Sequence, residues 1–136
     1  MSRLYLLDTN TVSDLVRNPF GIIRQHVDHV GSGNVFTSVI VAAELHFGVA
    51  KKASQKLRRR ILDAFEFVPV WPMPIGVAEH YGSLRADLEL HGQPMGGNDM
   101  WIAAHALAED AVLVSNNIRE FSRINGLKVE NWMQSS

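Results

Sequence analysis

Short apolar runs alternate along this chain with longer segments of helical period, and that alternation narrows the possible folds more than any other feature. Arg3 to Leu7, Val35-Phe36-Thr37, Phe67-Val68-Pro69-Val70, Ala111-Val112-Leu113-Val114 and Leu127-Lys128-Val129 read as strands, the fourth of them fully buried. Spacing predicts helices over Thr9–Val16, Gly21–Val30, Val39–Lys52, Ser54–Phe65, Ile75–Leu90 and Asp99–Ala108, with a short helical turn over Asn117–Ile124. Asn18-Pro19, Gly31-Ser32-Gly33-Asn34 and Gly92 close helices, while Ser38 and Asn98 stand where N-caps belong. Short apolar strands separated by helices argue for an α/β fold whose parallel sheet is covered on both faces. The 136 residues suit one domain, 1–136, able to bury roughly two-thirds of its unfolded surface.

Three acids sit where acids are hard to tolerate. Asp8 ends Leu4-Tyr5-Leu6-Leu7, Glu44 follows Val39-Ile40-Val41-Ala42-Ala43, and Asp99 precedes Ile102-Ala103-Ala104. Burying an ionised carboxylate costs several kcal/mol unless a cation, a metal or hydrogen bonds compensate. Each acid has a plainer reading: Asp8 as a helix cap, Glu44 as a surface position, Asp99 as a charge at ease on a helix N-terminus. For Glu44 the plain reading is weak, because its helix is apolar nearly all round, and such helices are normally buried. Together the three acids point to one shared site for a divalent metal. In open α/β sheets ligands collect beyond the carboxyl ends of the strands, where strand order reverses. Asp8 ends the first strand and Ser115-Asn116-Asn117 follows the strand ending at Val114, so the two converge if those strands are neighbours.

Composition removes several alternatives. Without cysteine there are no disulfides, thiolate nucleophiles or cysteine metal sites, and a reducing cytoplasm fits. No stretch approaches a signal peptide's apolar region or a membrane span. No His pair has i, i+4 spacing; the histidines, His105 included, read as surface or half-buried, and His105 points away from Asp99. An all-oxygen site selects Mg²⁺ or Mn²⁺ over zinc. Gly96-Gly97-Asn98 lacks the Lys-Ser/Thr of a phosphate loop and reads as a turn. Net charge is −1, yet Lys51 to Arg60 holds six of the 13 basic residues and no acid. That stretch is either a solvated helix face or a phosphate-contacting patch, with Arg58, Arg59 and Arg60 at its centre.

Taken in order, Leu7-Asp8-Thr9-Asn10, Glu44 in its apolar helix, Gly92-Gln93-Pro94 leading to Asp99 and Ile102-Ala103-Ala104-His105-Ala106, Val114-Ser115-Asn116-Asn117 with Arg119-Glu120-Phe121, and Gly126-Leu127 with Glu130-Asn131-Trp132 resemble a PIN-domain protein. More narrowly the chain resembles the VapC ribonuclease toxins of type II toxin–antitoxin modules, nearly from end to end. The resemblance implies an α/β/α sandwich with a central parallel sheet and an acidic pocket for Mg²⁺ or Mn²⁺. It implies endonucleolytic cleavage of structured RNA, with the Asn-Asn-x-Arg-Glu-Phe and Glu-Asn-Trp segments closest to members that cut initiator tRNA in its anticodon region. It also implies a VapB-type antitoxin that blocks the pocket and supplies DNA binding, and a homodimer that assembles further with antitoxin. Asp8, Glu44 and Asp99 match the family's acids. Where many members carry a fourth Asp, this chain has Asn117, which leaves Glu120, one helical turn on, as the available carboxylate.

From these assignments Asp8 and Asp99 are expected as direct ligands, and Glu44 and Glu120 as holders of surrounding waters or a second ion, one of them orienting the attacking water. Asn10 is expected to place a hydrogen bond on ligand or phosphate. Two other classes compete. A haloacid-dehalogenase-type phosphatase opens strand–Asp-x-Asp-x-Thr, but Asp8-Thr9-Asn10-Thr11 has Asn where that family needs its acid. A non-catalytic PIN-fold module that binds RNA or protein is disfavoured by the retained acids.

Overall fold

A computed structural model describes residues 3–133. It runs β1 (Leu4–Leu7), α1 (Thr9–Arg17), α2 (Ile22–Val30), a 3₁₀ turn (Ser32–Asn34), β2 (Val35–Ser38), α3 (Val39–Lys52), α4 (Gln55–Phe67), β3 (Val70–Trp71), α5 (Val77–Leu90), α6 (Gly97–Ala108), β4 (Ala111–Val114), α7 (Ile118–Phe121) and β5 (Val129–Glu130). The five strands form one parallel sheet in the order β3-β2-β1-β4-β5, flanked by helices as an α/β/α sandwich. Strand order therefore reverses between β1 and β4.

The sheet's centre is its driest part. Leu6, Leu7, Phe36, Leu113 and Val114 are fully buried, and each large side chain removed from water contributes roughly 1.5–3 kcal/mol. The polar residues in this region are tied down: the Thr37 hydroxyl donates to the Leu7 carbonyl at 2.6 Å, and the Thr11 hydroxyl to the Val114 carbonyl at 3.2 Å. Leu7 lies opposite Thr37 on one side and Val114 on the other. This register brings the β1 and β4 carboxyl ends together.

Several boundaries shift. The third strand is Val70–Trp71 rather than 67–70, because α4 continues through Phe67. The fifth is Val129–Glu130, and the last helix is only Ile118–Phe121. Asn98 is not a cap: α6 starts at Gly97 after Gly96, with no side-chain cap bond. The expected caps at Ser38 and Asp8 are present, accepting from the Ile40 and Thr11 amides. Ala53, at φ 50°, breaks α3 from α4.

Two expectations about burial fail in opposite directions. Helix α3 is apolar nearly all round, yet only Val41 and Ala42 are buried, and Phe47 is 68% exposed. One side of α3 meets α1, α4, α6 and the sheet edge, and nothing among the described residues covers the other. His105 is fully buried, not a surface residue, and lies against Phe36 at 5.4 Å between ring centroids. Helix α6 beyond its first turn is enclosed on nearly every side between the sheet and α5, so His105 is carried inward with it. Burial holds His105 below the usual histidine range, although Glu109, 3.6 Å away, pulls the other way. No helix among the described residues is long and apolar enough to cross a membrane.

Candidate active site

Asp8 occupies the first position after β1, and its amide donates to the Val114 carbonyl at 3.0 Å, continuing the β1–β4 ladder by one rung. Its carboxylate caps α1, accepting from the Thr11 amide at 2.9 Å. So the cap reading holds, but it does not account for the surroundings. The side chain is almost fully buried beside Ser115, which is itself fully buried. Burial raises the Asp8 carboxyl above the ordinary range; the Ser115 hydroxyl and the Thr11 amide and hydroxyl oppose the rise, and the charge of Glu44 adds to it.

Asp99 enters from the far side, in the first turn of α6. Its carboxyl is pushed up to about 6, first by burial and then by the charges of Glu120, Glu44 and Asp8. A group that feels all three others is the hub of the cluster. Among the described residues no hydrogen bond to its carboxylate is present.

The two glutamates are each held by a neutral donor. Thr9, next to Asp8, donates its hydroxyl to Glu44 Oε1 at 2.7 Å. The Asn117 amide group donates to Glu120 Oε2, and the Asn117 backbone N–H donates to the Ser115 hydroxyl at 2.9 Å. The Asn117 side chain thus meets Glu120 through its amide nitrogen. The short helix α7 begins at Ile118, which puts Asn117 and Glu120 on the same side of one turn.

Asp8, Glu44, Asp99 and Glu120 therefore share one electrostatic neighbourhood at the strand-order reversal. They are not clenched: among the described residues no three acidic or histidine side chains already converge on a single ion position. Like charges at close range repel, and a cation is the ordinary means of drawing them in. Hard oxygen donors suit Mg²⁺ or Mn²⁺.

The remaining expected residues stand apart. Asn10 is exposed in the first turn of α1 and has no hydrogen bond to the acids among the described residues. Arg58, Arg59 and Arg60 are exposed on α4. A groove of about 310 Å³ runs from Thr9 and Glu44 past Arg17 to Lys52 and Leu57, and none of the three arginines lines it. Larger cavities near Leu107 and Gly126 contain none of the four acids. The sequence reading missed Thr9 and assigned no part to Ser115. A hydroxyl residue directly after the first acid, and another directly after the buried fourth strand, were the available signals.

Comparison with known proteins adds a second line. A family model for the PIN domain matches residues 5–127. Ribonuclease VapC2 of Rickettsia felis is 37% identical over 131 residues, covering 95% of this chain and 98% of that protein. The tRNA(fMet)-specific endonuclease VapC of Shigella flexneri is 30% identical over 129 residues, covering 94% and 97%. In the solved structure of VapBC2 from Rickettsia felis bound to a DNA fragment from their promoter, a chain with 36% identity superposes with a TM-score of 0.84, covering 95% of this chain and 98% of its own length.

Proposed function

The chain belongs to the PIN-domain family and within it to the VapC ribonucleases, and on that footing we propose that it is the toxin of a type II toxin–antitoxin pair, an endoribonuclease that cuts structured RNA with the help of Mg²⁺ or Mn²⁺. The observation that carries this reading is the shared electrostatic neighbourhood of Asp8, Glu44, Asp99 and Glu120 at the β1–β4 reversal, with Asp99 under the field of the other three. A cluster of carboxylates can hold the cation with which a metal-dependent phosphodiesterase offsets negative charge on the scissile phosphate. Bound among these oxygens, a divalent cation would neutralise that charge and lower the pKa of a nearby water.

The chain's own residues divide the remaining work. Asp8 and Asp99 face the centre of the site as ligands, Asp8 rigidly fixed by its cap bond and Asp99 not. Glu44 and Glu120 accept or orient water at the margin, each using one oxygen for its donor and keeping the other free. Arg17 and Lys52 line the groove from Glu44, where a phosphate backbone entering the site would pass, and the exposed α4 arginines offer further cationic surface. Asn10, exposed on the same turn as Thr9, is available to a phosphate or ligand. Splayed, single-stranded loops suit this arrangement better than duplex.

The Shigella relative's specificity for tRNA(fMet) supports initiator tRNA, cut in the anticodon region, as the first substrate to try. Co-structures of relatives with antitoxin and promoter DNA support a VapB-type partner that contributes the DNA contact. The uncovered face of α3, with Val39 and Phe47 exposed, is surface of the kind that a homodimer or larger toxin–antitoxin assembly covers. A single domain over 1–136, working in the cytoplasm, completes the proposal.

RNA cleavage by Asp8→Asn and Asp99→Asn tests it. Both variants should fold and lose cleavage, and wild-type activity should vanish in excess chelator. Wild-type cleavage by either variant at full rate would remove the acidic site from the mechanism.

A further inference from the structure

We propose that Thr9 is a positioning residue that holds Glu44 in the active site against the repulsion of the other acids; this rests on the metal-dependent reading above. Thr9 is the first residue of α1, where a hydroxyl has no preceding turn of helix to bond back to. Its hydroxyl instead crosses to α3 and donates to Glu44 Oε1 at 2.7 Å, linking positions 35 apart in sequence. That length is typical of a hydroxyl bound to an ionised carboxylate, among the stronger protein hydrogen bonds.

The need for such a bond follows from where Glu44 sits. It lies on a helix with an uncovered side, so its flexible side chain has solvent as an alternative. Its neighbours Asp8 and Asp99 both carry like charge toward it. Repulsion and side-chain entropy therefore both favour an outward rotamer. Thr9 opposes them, and because it adjoins Asp8 in sequence, it sets the Glu44 carboxylate at a defined place relative to the acid capping the same helix. Among the described residues the other oxygen, Oε2, has no hydrogen-bond partner. Asn117 does for Glu120 what Thr9 does for Glu44, from the opposite side. Outer groups that orient ligands typically matter by tenfold or more in metal affinity.

The test compares Thr9→Val, which keeps shape and removes the hydroxyl, with Thr9→Ser, which keeps the hydroxyl. Mn²⁺ binding to each protein is measured by titration calorimetry, and cleavage rate is followed against Mn²⁺ concentration. Thr9→Val should bind Mn²⁺ about tenfold more weakly and cleave correspondingly more slowly at any limiting Mn²⁺ concentration. Thr9→Ser should restore the affinity. Unchanged Mn²⁺ affinity in Thr9→Val overturns the role of Thr9 and leaves the acidic site standing. Loss in both variants alike also overturns it, since the hydroxyl would not be the cause. Wild-type protein that binds no Mn²⁺ sinks the metal reading itself, and Thr9's role with it.

Discussion

At the scale of single residues, the proposed site is a set of carboxylates that differ in how they are held. Asp8 is fixed by the Thr11 amide, Glu44 by Thr9 and Glu120 by Asn117, whereas Asp99 has only burial and three like charges around it. Its carboxyl is raised from 3.8 to about 6, so the folded protein keeps a proton that the unfolded chain has lost. Between those values folding takes up a proton, and the stability of metal-free protein must fall as pH rises through that window. Melting temperature measured in chelator should decline from pH 4 to pH 7 (about the span of those two pKa values), and Asp99→Asn should decline less steeply. A variant with the wild-type slope would show that Asp99 is not the titrating group. The glutamate at position 120 makes a second test. Glu120→Gln should lower cleavage substantially and shift its Mg²⁺ requirement upward; Asn117→Ala, which loses only the orienting donor, should do less harm. Equal titration curves for Glu120→Gln and wild type would leave three working acids.

At the scale of elements, the two helices that follow β2 have separate tasks. Helix α3 carries Glu44 into the site and exposes apolar surface behind it. Helix α4 carries a basic run whose arginines are exposed, and its neighbour Lys52 lines the groove from Glu44. Each lost phosphate contact should lower the salt dependence of binding by roughly one unit of slope. Replacing Arg58, Arg59 and Arg60 together by Ala should therefore weaken RNA binding and flatten its response to salt, with no change in the rate of the bound complex. Identical affinity and salt slope would return α4 to a solvated surface.

At the scale of the whole molecule, the topology separates the acids from the buried histidine. The acids lie at one end of the sheet, and the one fully buried histidine, His105, lies within the sheet-facing packing of α6 against Phe36. No histidine pair is available there for attack by a ribose 2′-hydroxyl, so water should be the nucleophile. The products should then carry a 5′-phosphate and a 3′-hydroxyl. Ends bearing a 2′,3′-cyclic phosphate, identified by their resistance to ligation and by mass, would refute hydrolysis by water.

The strand–helix alternation was legible because burial imposes composition on an element directly: Leu4–Leu7 and Ala111–Val114 could hardly be anything but interior strands. Asp8, Glu44 and Asp99 stood out for the same reason, as charges in apolar surroundings. What one dimension does not contain is distance between segments. Sequence placed Glu44 in a buried helix, but packing left half that helix bare, since whether an apolar face is covered depends on what else the chain has to put there. His105 went the other way, carried inside by a helix enclosed on nearly every side. The Thr9–Glu44 and Asn117–Glu120 bonds show the same division. The Asn117–Glu120 pair is three residues apart and helical spacing anticipated its shared face. The Thr9–Glu44 pair spans 35 positions and exists only because β1 and β2 are neighbours in the sheet, which brings the helices after them side by side.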